Sequence, residues 1–371
     1  MKTKNYSKFL NFSSLIKRNF TQRIIQLEYS DLVSVNKSNN LESLSKEIEM
    51  GYGVNGLGAI IVKNVPNHFE TKYKLLSQTH KLVNLSKEKL EKIERPDLHY
   101  NLGWSHGKEK FKGKPDYMKG SFYATLNPYN SEIKKNIDDS GIWPEDIPDL
   151  KTNFRELGGQ IRNVSFLLYD CIDAYIRSLI PTYNLNFKQL IMNSEANTGR
   201  LLHYFARGNQ VLDIEDNWCG LHNDHGGLTG LVSSLYFNSN NELVNDKLKL
   251  EQTGLWIQGR NGEYTKVTYG NNDIAFQIGE VYQILSGGRL HATPHKVVVD
   301  NDVPKDVHRS TFALFMEPGR DFNLILPEGT KLQDITTSDI YPVPKIQDRY
   351  TRNGMPFNEF HDNTVSAYAI N

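Results

Sequence analysis

Cysteine is scarce: Cys171 and Cys219 are the only two among 371 residues. A disulfide-stapled secreted fold needs more of them, so a reducing, intracellular setting is expected. An excess of one charge sign is also missing. Lys and Arg number 43 against 43 Asp and Glu, a balance that provides no field to gather nucleic acid or an anionic membrane. It still leaves room for a local basic pocket that takes a small anion. No stretch nears the ~20 apolar residues of a membrane span, and Leu57–Val62 has only the length of a strand. Internal repeats and low-complexity tracts are absent as well.

What is present is an ordinary globular mixture, 38% hydrophobic and 11% aromatic, long enough to bury a sizeable core. The first 27 residues hold Lys2, Lys4, Lys8, Lys17, Arg18 and Arg23 but no acid. A mitochondrial presequence and a disordered basic tail both fit that composition. Residues 1–23 are therefore set apart as a targeting or disordered segment, and the expected location is cytoplasmic or mitochondrial.

Residues 24–185 read as a mixed, mostly helical region. Ile24–Leu27 and Ala59–Val65 look like strands. Leu41–Met50 and residues 70–95 look helical, with Ser86 as an N-cap and Pro96 ending the pattern. Tyr100–Pro128 is rich in Gly and aromatic residues and reads as a long packed loop. Phe154, Leu157, Ile161, Val164, Leu168, Ile172, Tyr175 and Leu179 recur every three or four residues, which predicts a helix over Phe154–Leu179. Cys171 falls inside that helix and reads as core.

Beyond Pro181 short apolar runs alternate with Gly, Asn and Asp clusters. They are Gly199–Phe205, Leu228–Phe237, Leu255–Gln258, Asp273–Ile278, Glu280–Leu285, His295–Val299 and Ser310–Met316. Many short, evenly spaced strands predict an antiparallel sandwich or barrel over residues 186–330. Residues 331–371 are expected to fold back on it as a C-terminal extension. The predicted class is mainly β with a helical N-terminal region.

Chemistry concentrates in His222-Asn223-Asp224-His225. On a strand, residues two apart share a face, so His222 and Asp224 would project together, which is half of a facial metal triad. His-x-Asp alone is common by chance. Cys219, three residues earlier, reads as a small buried residue rather than a ligand, because soft thiolates suit other metals. A Gly-rich turn at residues 279–288 leads to two further histidines, His291 and His295. They share strand parity, so alternation cannot choose between them. His295 opens a clean strand, and rigidity favours it. Arg309 and Thr311 share one strand face, where a guanidinium fork beside a hydroxyl fits a carboxylate. Taken alone, Arg309 reads as a surface ion pair.

In this order the motifs resemble the 2-oxoglutarate and Fe(II)-dependent dioxygenases of the isopenicillin N synthase-like superfamily. Gly220–Leu231 resembles the family's His-x-Asp strand, Gly279–Val297 its distal-histidine strand, and Arg309-Ser310-Thr311 its Arg-x-Ser motif. The resemblance spans about residues 24–350 and implies a double-stranded β-helix, or jelly-roll, core. It implies Fe(2+) held by His222, Asp224 and His295, with no catalytic residue beyond these ligands. It also implies 2-oxoglutarate as co-substrate, bound by Arg309, Thr311 and Tyr204, with dioxygen as the other reactant. The reaction would oxidise a small organic molecule, by hydroxylation, and release succinate and CO2. Trp104, His106, Phe122 and Tyr123 are the substrate-pocket candidates, because an aromatic loop there can cover the metal in such proteins. Thr311 replaces the usual Ser, Glu280 the usual Asp, and Phe205-Ala206 the usual proline run, while Asn238–Gln252 looks like an added loop. Two other readings remain at this level. One is an iron oxidase on the same scaffold that draws electrons from its substrate or from ascorbate. The other is a non-catalytic jelly-roll binding protein. Neither the substrate nor the oligomeric state is legible.

Overall fold

In the computed structural model, which describes residues 23–108, 110–111, 114–126, 139–208 and 217–370, the chain is layered as helices, a broad sheet and a narrow sheet. The N-terminal targeting question lies outside the described residues. The broad sheet takes strands from both halves of the chain. These are β1 (Ile25–Glu28), β2 (Ala59–Lys63), β3 (Gly103–His106), β4 (Lys119–Thr125) and β5 (Thr198–Tyr204). The narrow sheet contributes β6 (Asn217–His222), and the chain then returns to the broad sheet as β7 (Leu228–Val232) and β8 (Leu235–Phe237). Next come β9 (Gly254–Gln258) and β10 (Tyr264–Val267) of the narrow sheet, then β11 (Ile274–Ile278), β12 (His295–Val298) and β13 (His308–Met316). The broad sheet runs β1-β2-β11-β7-β13-β5-β4-β3, with β8 also pairing β13, and the narrow one runs β10-β9-β12-β6. All pairings are antiparallel except β1 with β2.

Side-chain alternation along these strands builds two cores. Ile60, Val62, Ile274, Phe276, Phe312 and Leu314 point to the helical layer. Their neighbours Ala59, Ile61 and Ala275 point the other way and meet Ile257 and Val267 of the narrow sheet. Likewise Leu202, Tyr204 and Ala313 face Trp218 and Val299. The helical layer comprises α1 (Tyr29–Ser38), α2 (Ser45–Tyr52) and α3 (His68–Leu76) around the long α4 (Leu150–Leu179). Helix α4 starts four residues before the predicted Phe154 because Leu150 is also buried and prolongs the apolar stripe. It lies so close to the broad sheet that a Cβ on Gly230 would sit 2.2 Å from Ile161 Cγ2.

Three sequence expectations change. Residues 70–95 break into three short helices, the last opened by Ser86, whose hydroxyl accepts from the Lys89 N–H. The expected loop at 100–128 contains β3 and β4, which extend the broad sheet. Glu280–Leu285, expected as a strand, is helix α5. All six of its residues are buried, and six residues span fewer than two helical turns, too few to separate a helical period from a strand's. The last helix, α6 (Phe357–Ile370), folds back against the segment 346–356. Among the described residues no helix is long and apolar enough to cross a membrane.

Candidate metal centre and co-substrate clamp

Strands β6 and β12 are antiparallel neighbours in the narrow sheet, and His222 lies directly opposite His295 in their register. Their rings stand 4.3 Å apart, centre to centre. Strand β6 ends at His222, so Asp224 is carried by the turn that follows rather than by the strand itself. That turn is anchored by α5, whose first N–H groups have no partner within the helix. Glu280 N–H donates to the Asp224 carbonyl at 2.9 Å and Val281 N–H to the Gly226 carbonyl at 3.1 Å. The result brings His222, Asp224 and His295 together with one donor atom each inside a 4.8 Å group. Asp224 Oδ1 stands 3.7 Å from Nε2 of both histidines. That is too long for hydrogen bonds and within the span that two donors ~2.1 Å from one ion can bridge.

The donors are prepared for a cation. Asp224 Oδ2 is buried and has no hydrogen-bond partner among the described residues, a costly state for a carboxylate that a bound metal would relieve. His222 Nδ1 lies 2.8 Å from the Gly220 carbonyl, to which it donates, and this directs Nε2 toward Asp224. The Gln277 side-chain nitrogen lies 2.7 Å from His295 Nδ1 and donates to the Thr293 carbonyl at 3.3 Å. Exchanging the amide's nitrogen and oxygen brings the partnerless Oε1 to the ring, where it accepts the Nδ1 proton and leaves Nε2 free. Burial, with the field of His222, pushes His295 down to about 4, so its ring is neutral. Burial pushes the Asp224 carboxyl up, but His295 and His222 outweigh it and the carboxyl is held below its ordinary range. Burial pushes the His222 ring down, but Cys219, Asp224 and the Gly220 carbonyl outweigh it and raise it to about 9, so a metal bound there displaces its proton. Two imidazoles and a carboxylate form the facial donor set suited to non-haem Fe(II). Cys219 Sγ lies 3.8 Å from Nδ1 of His222, the nitrogen turned from the triad, and falls outside the donor group.

His291, the alternative by parity, is elsewhere. It is buried against Arg260, its backbone N–H donates to Tyr52 O, and burial pushes it down to about 3. His225 points away from the triad and shares a 2.9 Å hydrogen bond with His361.

Arg309 and Thr311 lie on the inner face of β13, level with Tyr204 and Leu202 of β5. The Arg309 guanidinium sits 4.5 Å from the Tyr204 ring and 5.1 Å from the Trp218 ring. Its Nε donates to Ser234 Oγ at 2.8 Å, while Nη1 is buried without a partner among the described residues. A buried cation with unspent donors is an anion site in waiting. The Thr311 hydroxyl donates to the Val232 carbonyl at 3.1 Å, so serving a carboxylate requires it to turn from that partner.

The four substrate-pocket candidates divide. Tyr123 lies on the inner face, level with Arg200, whose guanidinium stands 5.1 Å from its ring. Trp104 and Phe122 turn the opposite way into the helical core, where Phe122 packs on Trp143 and Phe154. Strand alternation makes that outcome unavoidable: neighbours Phe122 and Tyr123 cannot share a face. His106 is beside Phe205 at the sheet edge, with Nε2 3.1 Å from the Tyr117 carbonyl. Sequence reasoning missed Gln277, Ser234 and Arg200. For Arg200 a signal existed, because it has the same strand parity as Tyr204.

No family model matches the chain, and no curated protein matches it. Solved structures do. A protein from Caulobacter crescentus assigned to the 2OG-Fe(II) oxygenase family is 19% identical, with 93% of this chain and 99% of that one covered at a TM-score of 0.65. A full-length Neurospora crassa protein in complex with alpha-KG and thymine is 19% identical over 95% of this chain and 98% of that one, at a TM-score of 0.62. JOX2 in complex with 2OG, Fe and JA is 16% identical over 92% and 84%, at 0.58. The chain therefore has the fold of solved 2OG-Fe(II) oxygenases.

Proposed function

We propose that this chain is an Fe(II)- and 2-oxoglutarate-dependent oxygenase that hydroxylates a small organic molecule on a jelly-roll core. The observation that carries the reading is the conjunction of His222, Asp224 and His295 with the unspent guanidinium of Arg309 between the same two sheets. A metal site alone fits many activities, whereas a metal site with a carboxylate clamp calls for an acidic co-substrate. Structural neighbours that hold 2-oxoglutarate together with thymine or JA support a small-molecule substrate.

His222 and His295 would bind the metal through Nε2 and Asp224 through its carboxylate. Bound Fe(II) with 2-oxoglutarate supplies the oxidising power, coupling dioxygen reduction to decarboxylation that yields succinate and CO2. Gln277 fixes the His295 ring and the Gly220 carbonyl fixes His222, so the ligands are placed before the metal arrives. Arg309 receives the distal carboxylate of 2-oxoglutarate, and the Tyr204 and Trp218 faces keep water from its guanidinium, which strengthens the pairing. Arg200 and Tyr123 flank the remaining space as substrate contacts. The test is succinate release by the Fe(II)-reconstituted protein across a panel of small molecules. Substrate-coupled succinate should appear with wild type and fall at least 100-fold in His222→Ala, together with loss of bound iron. Equal iron content and equal turnover in that variant would refute the assignment.

A further inference from the structure

The turn that carries Asp224 is gripped by the C-terminal segment as well as by α5. Tyr368 of α6 accepts the Asn223 backbone N–H on its hydroxyl oxygen at 2.9 Å. Asn223 is thus held at its peptide nitrogen, between the two ligand residues. Its side-chain amide donates to Glu280 Oε1 at 3.0 Å. Glu280 in turn receives both arms of Arg349, at 2.7 and 2.8 Å. Arg349 also donates to Thr364 of α6 at 2.8 Å, and the His225–His361 hydrogen bond adds a second tie to α6.

Glu280 and Arg349 are 1% and 2% exposed. Desolvating two charges to that degree offsets most of their attraction, so net stability is a poor reason for the pair. Orientation is a better one. A bidentate fork fixes the Glu280 carboxylate in one plane, and that plane fixes Asn223. Rotation of the Asn223 peptide would swing Asp224 away from Nε2 of both histidines.

We propose that Arg349 and Tyr368 are positioning residues for the metal, holding the Asn223 peptide so that Asp224 meets the two histidines. The inference rests on the metal reading above and assigns the C-terminal segment a part in building the centre. The arrangement predicts weaker metal binding with the fold intact.

The test is Co(II) and Fe(II) titration of the full chain, read by binding isotherm and by the visible spectrum of bound Co(II). Tyr368→Phe should weaken binding about tenfold and shift the Co(II) bands while lowering the metal-free Tm by only a few degrees. Arg349→Lys, which keeps the charge but loses the fork, should do the same, and Arg349→Met more strongly. If Arg349→Met fails to fold, Tyr368→Phe, which removes a single oxygen, still decides the matter. Wild-type affinity and an unshifted spectrum in both Tyr368→Phe and Arg349→Lys would overturn this inference and leave the oxygenase reading standing. Failure of wild type to bind either ion would overturn both.

Discussion

Arg309 shows how much a single side chain can mean here. Its planar cation lies against Tyr204 and Trp218, spends Nε on Ser234 and keeps Nη1 unspent. Lysine keeps the charge but neither stacks as a plane nor forks. Arg309→Lys should therefore raise the KM for 2-oxoglutarate by about 10- to 100-fold, the worth of one charge-assisted hydrogen bond, with bound iron unchanged. Parallel measurement of KM and metal content checks this. His203 faces the helical layer on the same strand as Tyr204. Burial first, and then the fields of His308, His80 and His106, push it down to about 3. Its folded pKa lies below the ordinary 6.5, so the unfolded chain binds the extra proton. Stability from this group is complete above pH 6.5 and is lost as pH falls toward 3, by up to about 1.4 kcal/mol per pH unit. In His203→Leu the fall of Tm between pH 6.5 and 4.5 should be shallower than in wild type, as thermal melts across that range would show.

At the scale of elements, legibility followed burial pattern. Helix α4 was readable because its apolar stripe has a polar back, and β5, β11 and β13 were readable as short runs between turn residues. Helix α5 was not, since six residues are too few to show a helical period. Strands β3 and β4 hid in a glycine-rich stretch whose pairing with distant β5 is a tertiary event. The same limit misdirected the substrate residues. Without β4 as a strand, nothing told Phe122 from Tyr123. His222 and Asp224 were legible as a motif, but their juxtaposition comes from a turn capped by α5, not from strand alternation. The contact between α4 and β7 offers its own test. Gly230→Ala places a methyl on Ile161 Cγ2 and should destabilise the protein by about 1–3 kcal/mol. Combining it with Ile161→Ala should cost less than the sum of the two single changes in a denaturation cycle.

For the molecule as a whole, composition announced a globular chain and the order of motifs announced its core. The layering itself, with two sheets enclosing the site and helices behind the broader one, rests on which strands find each other across long distances. Resemblance carried that part, as residue patterns alone do not encode pairing order. The opposition of His222 and His295 has one more effect at this scale. The two residues belong to adjacent strands, but all of β7 to β11 lies between them along the chain. A metal bound to both is therefore a removable staple closing a long loop, present in the folded state and absent from the unfolded one. Iron or cobalt at a hundredfold excess over Kd should stabilise the fold by about 2.7 kcal/mol, and a chelator should return Tm to its metal-free value.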